Sequence, residues 1–241
     1  MYNYREGKKR IKEILDNKLL VEETAIPKEN QFTYENAYYG WVTALFVDIR
    51  NSTQLFTNES KEKVSKVIRS FSSEVIEILR DSDNLREIGI RGDCVYAIYS
   101  TPWKIDISRI FDRAVEINTF LRMLKLLLEE SNLPTITAGI GMSSAEELVI
   151  KAGRRYSGIN NAVWIGKAVT FASLLSSEAN KSGKLSIALS KIAYDNMLED
   201  QISRGLQRVW FQKAYNTTIG EFYHGNIINN SFDEWIAGGM P

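Results

Sequence analysis

The first part of the chain alternates between strand-like and helix-like hydrophobic patterns. Residues 41–49, WVTALFVDI, are rich in β-branched and aromatic side chains, which is typical of a buried strand. Apolar positions then recur at helical spacing over 60–80 and again over 104–130. Residues 85–100 lie between these helices and predict two short strands around a turn at 91–93. This part of the chain therefore predicts the order βαββα.

The second part continues the alternation. Pro134 begins a predicted strand, TITAGIGMS, and ELVIKAG at 147–153 continues as its neighbour. Residues 164–180 predict a helix, and the remainder predicts a strand, a short helix and a closing hairpin, at 184–189, 191–198, 207–215 and 217–225. The complete order, βαββαββαβαββ, predicts an α/β (α+β) fold in which helices pack on a mixed central sheet.

The N-terminal and C-terminal segments differ from this central part. Residues 5–20 predict a short charged helix with apolar side chains on one side, at Ile11, Ile14 and Leu19 or Leu20. The next segment is polar, contains Pro27 and predicts a linker. We therefore expect three parts, which are an N-terminal helix and linker over 1–40, a folded domain over 41–225, and a C-terminal extension over 226–241.

Composition narrows the classes of function. The 30 Lys and Arg residues balance the 30 Asp and Glu residues, which argues against nucleic acid or an anionic membrane as a partner. The single cysteine, Cys94, excludes a disulfide framework, and the single histidine, His224, excludes a His-rich metal site. No apolar run reaches the roughly 18 residues of a membrane-spanning helix. The N-terminus lacks a secretory pattern, so we expect a cytoplasmic protein.

Two aspartates stand at positions where a carboxylate could do chemistry. Asp48 ends the buried strand, where a carboxylate is costly unless it is paired or binds a metal. Short polar residues follow at 51–53, where a helix N-terminus could offer backbone N–H groups to a phosphate. Asp93 lies in a later turn, and the intervening helix and strand suit neighbouring strands. Taken singly, Asp48 suits a helix N-cap and Asp93 suits a hairpin turn. Taken together, the two carboxylates suit the binding of two Mg²⁺ or Mn²⁺ ions.

Four segments, FVDIRNST, IRGD, GIGM and WIGKAVTFAS, resemble in this order the class III nucleotide cyclase catalytic domain, over roughly 41–225. The resemblance implies a ferredoxin-like palm and a head-to-tail homodimer with active sites at the subunit interface. It implies that Asp48 and Asp93 bind two Mn²⁺ or Mg²⁺ ions and that the Ile49 carbonyl is a further metal ligand. It also implies that the triphosphate of a nucleotide substrate is wrapped by Asn51, Ser52 and Thr53.

The sequence departs from the family pattern at the positions that read the base. Gly89 and Val163 stand where the family usually carries polar or charged side chains that recognise a purine. A site that discriminates between bases depends on such buried polar contacts. The loss of both groups therefore argues against selectivity for a purine.

A second departure concerns the residues that stabilise the transition state. Thr170 and Leu174 stand where the family has an Asn and an Arg. Either the enzyme is inactive, or another cation takes the role of the arginine. Arg154 and Arg155, in the loop before this segment, could reach developing phosphate charge across the interface. Alternatively, the two arginines belong to a solvated loop and have no catalytic role. We take Arg154 as the candidate catalytic residue.

The segment KAGRRYSGINNAVWIG, together with YHGN near the C-terminus, narrows the resemblance to the pyrimidine cyclases of bacterial anti-phage signalling. That branch makes cyclic UMP or cyclic CMP, and the resemblance favours uridylate cyclases. The expected reaction is attack of the UTP 3′-hydroxyl on its own α-phosphate, with one ion activating the hydroxyl and the other holding the triphosphate. The alternatives are a cytidylate cyclase, an adenylate or guanylate cyclase that reads the base by backbone contacts, and a catalytically degenerate nucleotide-binding regulator.

Three further side chains near the two aspartates are open to two interpretations. Phe46, two residues before Asp48, either packs under the base or ribose or belongs to the core. Arg91 either lines the base pocket or lies on the surface of the hairpin. Arg50 shares the side of Asp48 and either touches the triphosphate or pairs with a surface carboxylate. We take Phe46 and Arg91 as candidate nucleotide-binding residues.

Overall fold

The computed structural model describes residues 1–154 and 160–241. Its helices are α1 (Tyr4–Asp16), α2 (Ser52–Asn58), α3 (Lys61–Arg80), α4 (Lys104–Glu130), α5 (Ala168–Glu178), α6 (Lys191–Ser203) and α7 (Asn230–Ala237). Its strands are β1 (Leu20–Glu23), β2 (Asn36–Ile49), β3 (Leu85–Arg91), β4 (Cys94–Ser100), β5 (Ala138–Gly153), β6 (Asn160–Gly166), β7 (Ile187–Ser190), β8 (Phe211–Asn216) and β9 (Gly220–Gly225). None of the helices in these ranges is both long and apolar enough to cross a membrane.

All the described strands belong to one mixed sheet with β2 near its centre. The strand order is β3-β4-β2-β5-β7-β9-β8, with β1 added to β2 and β6 added to β5. β2 runs antiparallel to both β4 and β5, whereas β5 and β7 run parallel. The predicted α/β fold with a mixed central sheet is therefore confirmed.

Alternate residues of β2 separate the two faces of the sheet. Leu45 and Val47 are fully buried in the main core, which the helices α3, α4 and α6 cover. Phe46 points to the opposite face, into a smaller cluster that includes Ala172 of α5. Because side chains alternate along a strand, Asp48 lies on the same side as Phe46. We call this second side of the sheet the α5 face.

Two glycines of the GIGM segment allow α5 to pack directly on β5. A Cβ atom at Gly141 would collide with the backbone oxygen of Ala172, and one at Gly139 would collide with that of Ser176. The absence of side chains at these positions lets the helix backbone approach the strand. The helix is therefore held close to the sheet beside the end of β2 that carries Asp48.

The N-terminal segment is more integrated than its polar composition predicted. The helix ends at Asp16, and β2 begins at Asn36 instead of at residue 41. Within the predicted linker, β1 pairs with β2, and Ile26 and Phe32 are buried in the cluster on the α5 face. These contacts are long-range, which explains why local composition did not reveal them. The division into 1–40, 41–225 and 226–241 stays a prediction.

The region after α4 also corrects the sequence interpretation. The strand predicted to start at Pro134 begins at Ala138 and continues through ELVIKAG as one strand of 16 residues instead of two neighbours. The helix predicted over 164–180 begins only at Ala168, because residues 160–166 pair with β5 as β6. Pairing with a distant strand has overridden the local helical pattern there.

Candidate active site

Asp48 and Asp93 lie beside each other where β2 meets the β3–β4 turn. Asp48 is directly opposite Cys94 in the pairing of β2 with β4, and Asp93 immediately precedes Cys94. Burial raises the pKa of the half-buried Asp48 carboxyl, the charge of Arg50 opposes this shift, and the charge of Asp93 adds to it. The structure therefore brings together the two carboxylates that the sequence predicted as a pair. We call this part of the α5 face the metal end.

Arg50 fixes the position of Asp48. Its Nη2 donates a hydrogen bond to Asp48 Oδ2 at 3.1 Å, and the guanidinium also donates to the backbone oxygens of Ser176 and Ser177 near the end of α5. Arg50 therefore pairs with the candidate metal ligand itself, and not with a surface carboxylate. This contact links Asp48 to the helix that covers the face.

The donor set at the metal end fits divalent cations that prefer oxygen. Asp48 and Asp93 supply two carboxylates, and a half-buried carboxylate beside a second one is stabilised by a bound cation. The Ile49 side chain is buried in the main core, so a ligand role falls to its carbonyl. No cluster of three or more His, Cys, Asp or Glu gathers within 1–154 and 160–241. Ions here would complete their coordination with water and substrate oxygens, as Mg²⁺ usually does.

The predicted phosphate-binding residues follow Asp48 directly. The chain turns at Asn51, whose φ of 54° is in the left-handed region, and α2 then begins at Ser52. Thr53 is in the first turn of α2, where backbone N–H groups have no partner within the helix. Arg91 is exposed and lies in the same cross-strand row as Asp48. These residues border the carboxylate pair, and their contact with a nucleotide stays a prediction.

The Tyr96 side chain lies over Gly89, one of the two positions expected to read the base. The two residues are paired across β3 and β4, and a Cβ atom at Gly89 would lie 2.8 Å from Tyr96 Oη. On its other side, Tyr96 stacks on Phe46 with ring centroids 5.1 Å apart and planes 16° apart. Phe46 is only 8% exposed. It therefore packs as a core residue beneath Tyr96, and its contact with a nucleotide stays a prediction.

Glu87 is a residue that the sequence analysis missed. Tyr96 Oη donates a hydrogen bond to Glu87 Oε1, and Trp164 Nε1 donates one to Glu87 Oε2, each at 2.7 Å. Burial and the bond to Glu87 raise the pKa of Tyr96 to about 12. Trp164 follows Val163, whose own side chain is 39% exposed. We call Glu87, Tyr96 and Trp164 the base end, because they adjoin the two expected base-reading positions, Gly89 and Val163.

Arg154 lies far from the metal end within one chain. It follows β5 directly and is exposed. Gly139 is the β5 residue opposite Asp48, and Arg154 is about 50 Å further along the strand path. Thr170 and Leu174 are exposed on α5. The other candidate cation, Arg155, lies outside the described residues. A role for Arg154 next to Asp48 therefore needs a second copy of the chain.

Comparison with protein families decides what kind of domain this is. The model of the adenylate and guanylate cyclase catalytic domain matches residues 34–207, which include both the metal end and the base end. The chain belongs to this cyclase family. The resemblance found in the sequence motifs is thus confirmed, and with it the expectation of a nucleotide cyclase that acts on a nucleoside triphosphate.

Two relatives of this cyclase are named as uridylate cyclases. A protein from Treponema porcinum named uridylate cyclase is 50% identical over 240 residues, which are 99% of this chain and 82% of that protein. A second uridylate cyclase, from Gulbenkiania mobilis, is 28% identical over 97% of this chain and 95% of that protein. The crystal structure of the adenylyl cyclase CyaB from P. aeruginosa aligns with a TM-score of 0.65 at 17% identity, over 78% of this chain and 95% of that one. That last likeness shows the fold alone.

Proposed function

We propose that this cyclase is a uridylate cyclase that converts UTP to 3′,5′-cyclic UMP and pyrophosphate. The observation that carries the proposal is the 50% identity, over nearly the whole chain, to the Treponema porcinum protein of that name. Membership of the family does not by itself distinguish among the four nucleotides. The absence of polar side chains at Gly89 and Val163 supports a base other than a purine.

The reaction needs positioning and charge and no protein nucleophile. The ribose 3′-oxygen forms a bond to the α-phosphorus, the bond from that phosphorus to the bridging oxygen breaks, pyrophosphate leaves, and the hydroxyl proton passes to solvent. Asp48, Asp93 and the Ile49 carbonyl would hold two Mn²⁺ or Mg²⁺ ions, residues 51–53 would wrap the triphosphate, and Arg91 would contact the nucleotide beside them. The bound ions supply neutralisation of phosphate charge and a lower pKa for the attacking hydroxyl.

A homodimer completes the site. One copy contributes Asp48 and Asp93, and the partner contributes Arg154, which stabilises charge on the phosphate as the bond to pyrophosphate breaks. The long strand path between Asp48 and Arg154 supports this division of the site between two copies. A dimer with twofold symmetry then contains two equivalent sites.

The same proposal includes a cellular role. Cyclic UMP acts as a second messenger in bacterial anti-phage signalling, and the enzyme works in the cytoplasm. The support is the likeness of KAGRRYSGINNAVWIG and YHGN to the pyrimidine cyclases of that system.

Product identification tests the proposed reaction. The purified protein is incubated with equimolar ATP, GTP, CTP and UTP plus Mn²⁺, and the products are identified by mass spectrometry. We expect cyclic UMP to exceed each other cyclic nucleotide at least tenfold, which is about 1.4 kcal/mol of transition-state selectivity. The matched control is Asp48→Asn, which removes the carboxylate charge at constant size and should remove the product. A dominant product other than cyclic UMP, or nucleotide binding without turnover, overturns the proposal.

A further inference from the structure

A cavity of about 340 Å³ opens at the base end of the α5 face. Its walls come from three separate parts of the chain, and they include Phe32, Arg86, Glu87, Tyr96, Asn161 and Trp164. This volume is within the range of small-molecule sites. Its aromatic rings stand beside charged and polar side chains, which include a second carboxylate, Glu29, so the cavity offers a flat heterocycle both stacking surfaces and hydrogen-bond partners.

Glu87 is the carboxylate that this cavity holds in a fixed orientation. Each of its oxygens accepts one hydrogen bond, from Tyr96 and from Trp164 respectively. An ionised carboxylate has about four acceptor positions, so both oxygens retain capacity to accept from a ligand. Both bonded neighbours are donors. Glu87 therefore offers the cavity an acceptor whose direction is set by the fold.

Gly89 makes this arrangement possible. The Tyr96 ring crosses the strand at Gly89, and a Cβ atom there would lie within 2.9 Å of the ring. Only a glycine leaves room for Tyr96 to reach Glu87. Because residues two apart on a strand share a side, the polar group missing at position 89 is replaced on the same side by the one at position 87.

The hydrogen-bonding pattern of the cavity suits uracil. Uracil presents a ring N–H between two carbonyl oxygens, whereas cytosine presents an acceptor nitrogen at the same ring position. Glu87 can accept from the ring N–H, and the Asn161 amide carries donors suited to a carbonyl oxygen. Arg86 Nε and Nη1 already donate to the backbone oxygens of Ile26, Asp83 and Leu85, so Arg86 offers the second carbonyl only its Nη2 group. An acceptor nitrogen facing a carboxylate can form no hydrogen bond with it and meets its negative charge, which disfavours cytosine. This contact does not separate uracil from guanine, which also carries a ring N–H.

We propose that Glu87 is a specificity-determining residue that accepts the ring N–H of uracil and thereby selects UTP over CTP. The assignment rests on the proposed function, because it names the residue that reads the base of that substrate. Tyr96 and Trp164 act as positioning residues, since each donates to the Glu87 carboxylate.

The test compares kcat/KM for UTP and for CTP, each measured alone, in the wild type and in Glu87→Gln. We expect the UTP-to-CTP ratio to fall at least tenfold, because the amide can turn a donor towards the cytosine ring nitrogen. The matched control is Glu221→Gln, since Glu221 also accepts a hydrogen bond from a tyrosine, Tyr223, at 2.7 Å on a distant hairpin. The control should leave the ratio unchanged. An equal loss of activity with both nucleotides would mean that Glu87 only holds the strands together, and would overturn the assignment.

A second variant covers the case in which Glu87→Gln does not fold. Tyr96→Phe removes one donor to Glu87 and keeps the ring, so the ratio should fall in the same direction by a smaller factor, about threefold. An unchanged ratio in that variant also overturns the assignment. The wild type separates the two proposals: if it prefers UTP but the variants keep that preference, only the role of Glu87 fails. If it prefers another nucleotide, the proposed function fails and takes the assignment with it.

Discussion

The metal end and the base end share the α5 face but relate differently to the cyclase family. At the metal end, Asp48 and Asp93 keep the family pattern, and the structure places them next to each other. At the base end, Gly89 and Val163 lack the polar groups that the pattern requires, and a hydrogen-bonded carboxylate, Glu87, stands nearby instead. The chemistry of phosphoryl transfer is common to all nucleotides, whereas recognition of the base must change with the substrate.

The two ends also differ in what holds them together. Asp48 is positioned by strand register and by Arg50, which reaches the backbone oxygens near the end of α5. The base end depends on a contact between β3 and β6, in which Trp164 bonds to Glu87. Helix α5 lies alongside both. Substitutions at the metal end should therefore lower turnover of every nucleotide. Substitutions at the base end should instead change the preference among nucleotides.

The largest expected effect is at the metal end. Asp48→Ala or Asp93→Ala should each lower turnover of every nucleoside triphosphate by about a hundredfold or more, because each removes one of the two carboxylates that we propose as ligands of the ions. Neither side chain belongs to the hydrophobic core, so the melting temperature should stay within a few degrees of the wild type. Steady-state kinetics with circular dichroism melts measure both effects. Activity above a tenth of the wild type in either variant would remove the two-ion assignment.

A smaller effect is expected at the base end from Gly89→Ala. The added methyl group meets the Tyr96 ring, and overpacking of this kind costs about 1–3 kcal/mol of the free energy of unfolding. The double variant Gly89→Ala/Tyr96→Ala removes the collision, so the two single costs should not add. Urea unfolding of the three variants checks this. Simple additivity would show that Tyr96 does not occupy the space above Gly89.

The smallest effect concerns the start of α5, between the two ends. Glu147 is fully buried; Oε1 accepts from the Ala168 N–H at 2.5 Å, while Oε2 has no hydrogen-bond partner in the described parts of the chain. Burial raises the pKa of this carboxyl above its ordinary value of 4.5, although the N–H groups of Ala168 and Val169 oppose the shift. Protonation of Glu147 therefore adds to the free energy of unfolding. This contribution is lost as the pH rises through the raised pKa of the carboxyl.

The variant Glu147→Gln tests the direction of this pH dependence of stability. Its neutral amide should be more stable than the wild type at pH 8, by about 1 kcal/mol, which corresponds to a melting temperature about 2–4 °C higher. The advantage should shrink towards pH 5, where the wild-type carboxyl is increasingly protonated. Thermal melts at both pH values measure the difference. If the variant and the wild type differ in melting temperature by the same amount at both pH values, Glu147 does not titrate in the folded protein over this range.

The sequence predicted those features whose causes are local. Helices α3 and α4 and the central strand β2 follow from apolar periodicity, and their buried residues include Phe71 and Phe111 as the pattern requires. The pairing of Asp48 with Asp93 followed from strand order, because a helix and a strand between them suit neighbouring strands. The metal end was therefore predictable from the order of the strands, although its two aspartates are distant in sequence.

The features that the sequence missed depend on contacts between distant segments. Residues 160–166 form a strand because β5 pairs with them, although their local pattern joined the following helix. Glu87 and Trp164 are 77 residues apart, so no local pattern could link them. The available signal was the position of Glu87 two residues before Gly89, on the same side of a strand. The base end therefore became visible only when the fold was known.

Subunit mixing tests most directly whether two copies share one site. Asp48→Ala is mixed with Arg154→Ala under conditions that allow exchange, and exchange is followed with two different affinity tags. In the heterodimer one site has both lesions and the other has neither, so activity should return to at most about half per heterodimer. Mixing Asp48→Ala with Asp93→Ala should restore nothing, because both lesions fall on the metal-bearing side.

The mixing experiment requires that Arg154→Ala has little cyclase activity by itself. Full activity of that variant would already contradict a catalytic role for Arg154. Arg155→Ala then serves as the second lesion, with UTP as the substrate, because Arg155 is the other candidate cation next to Arg154 in the sequence. The account predicts recovery of cyclic UMP formation in the mixed sample, in proportion to the fraction of heterodimer. No recovery despite complete subunit exchange would contradict the shared site.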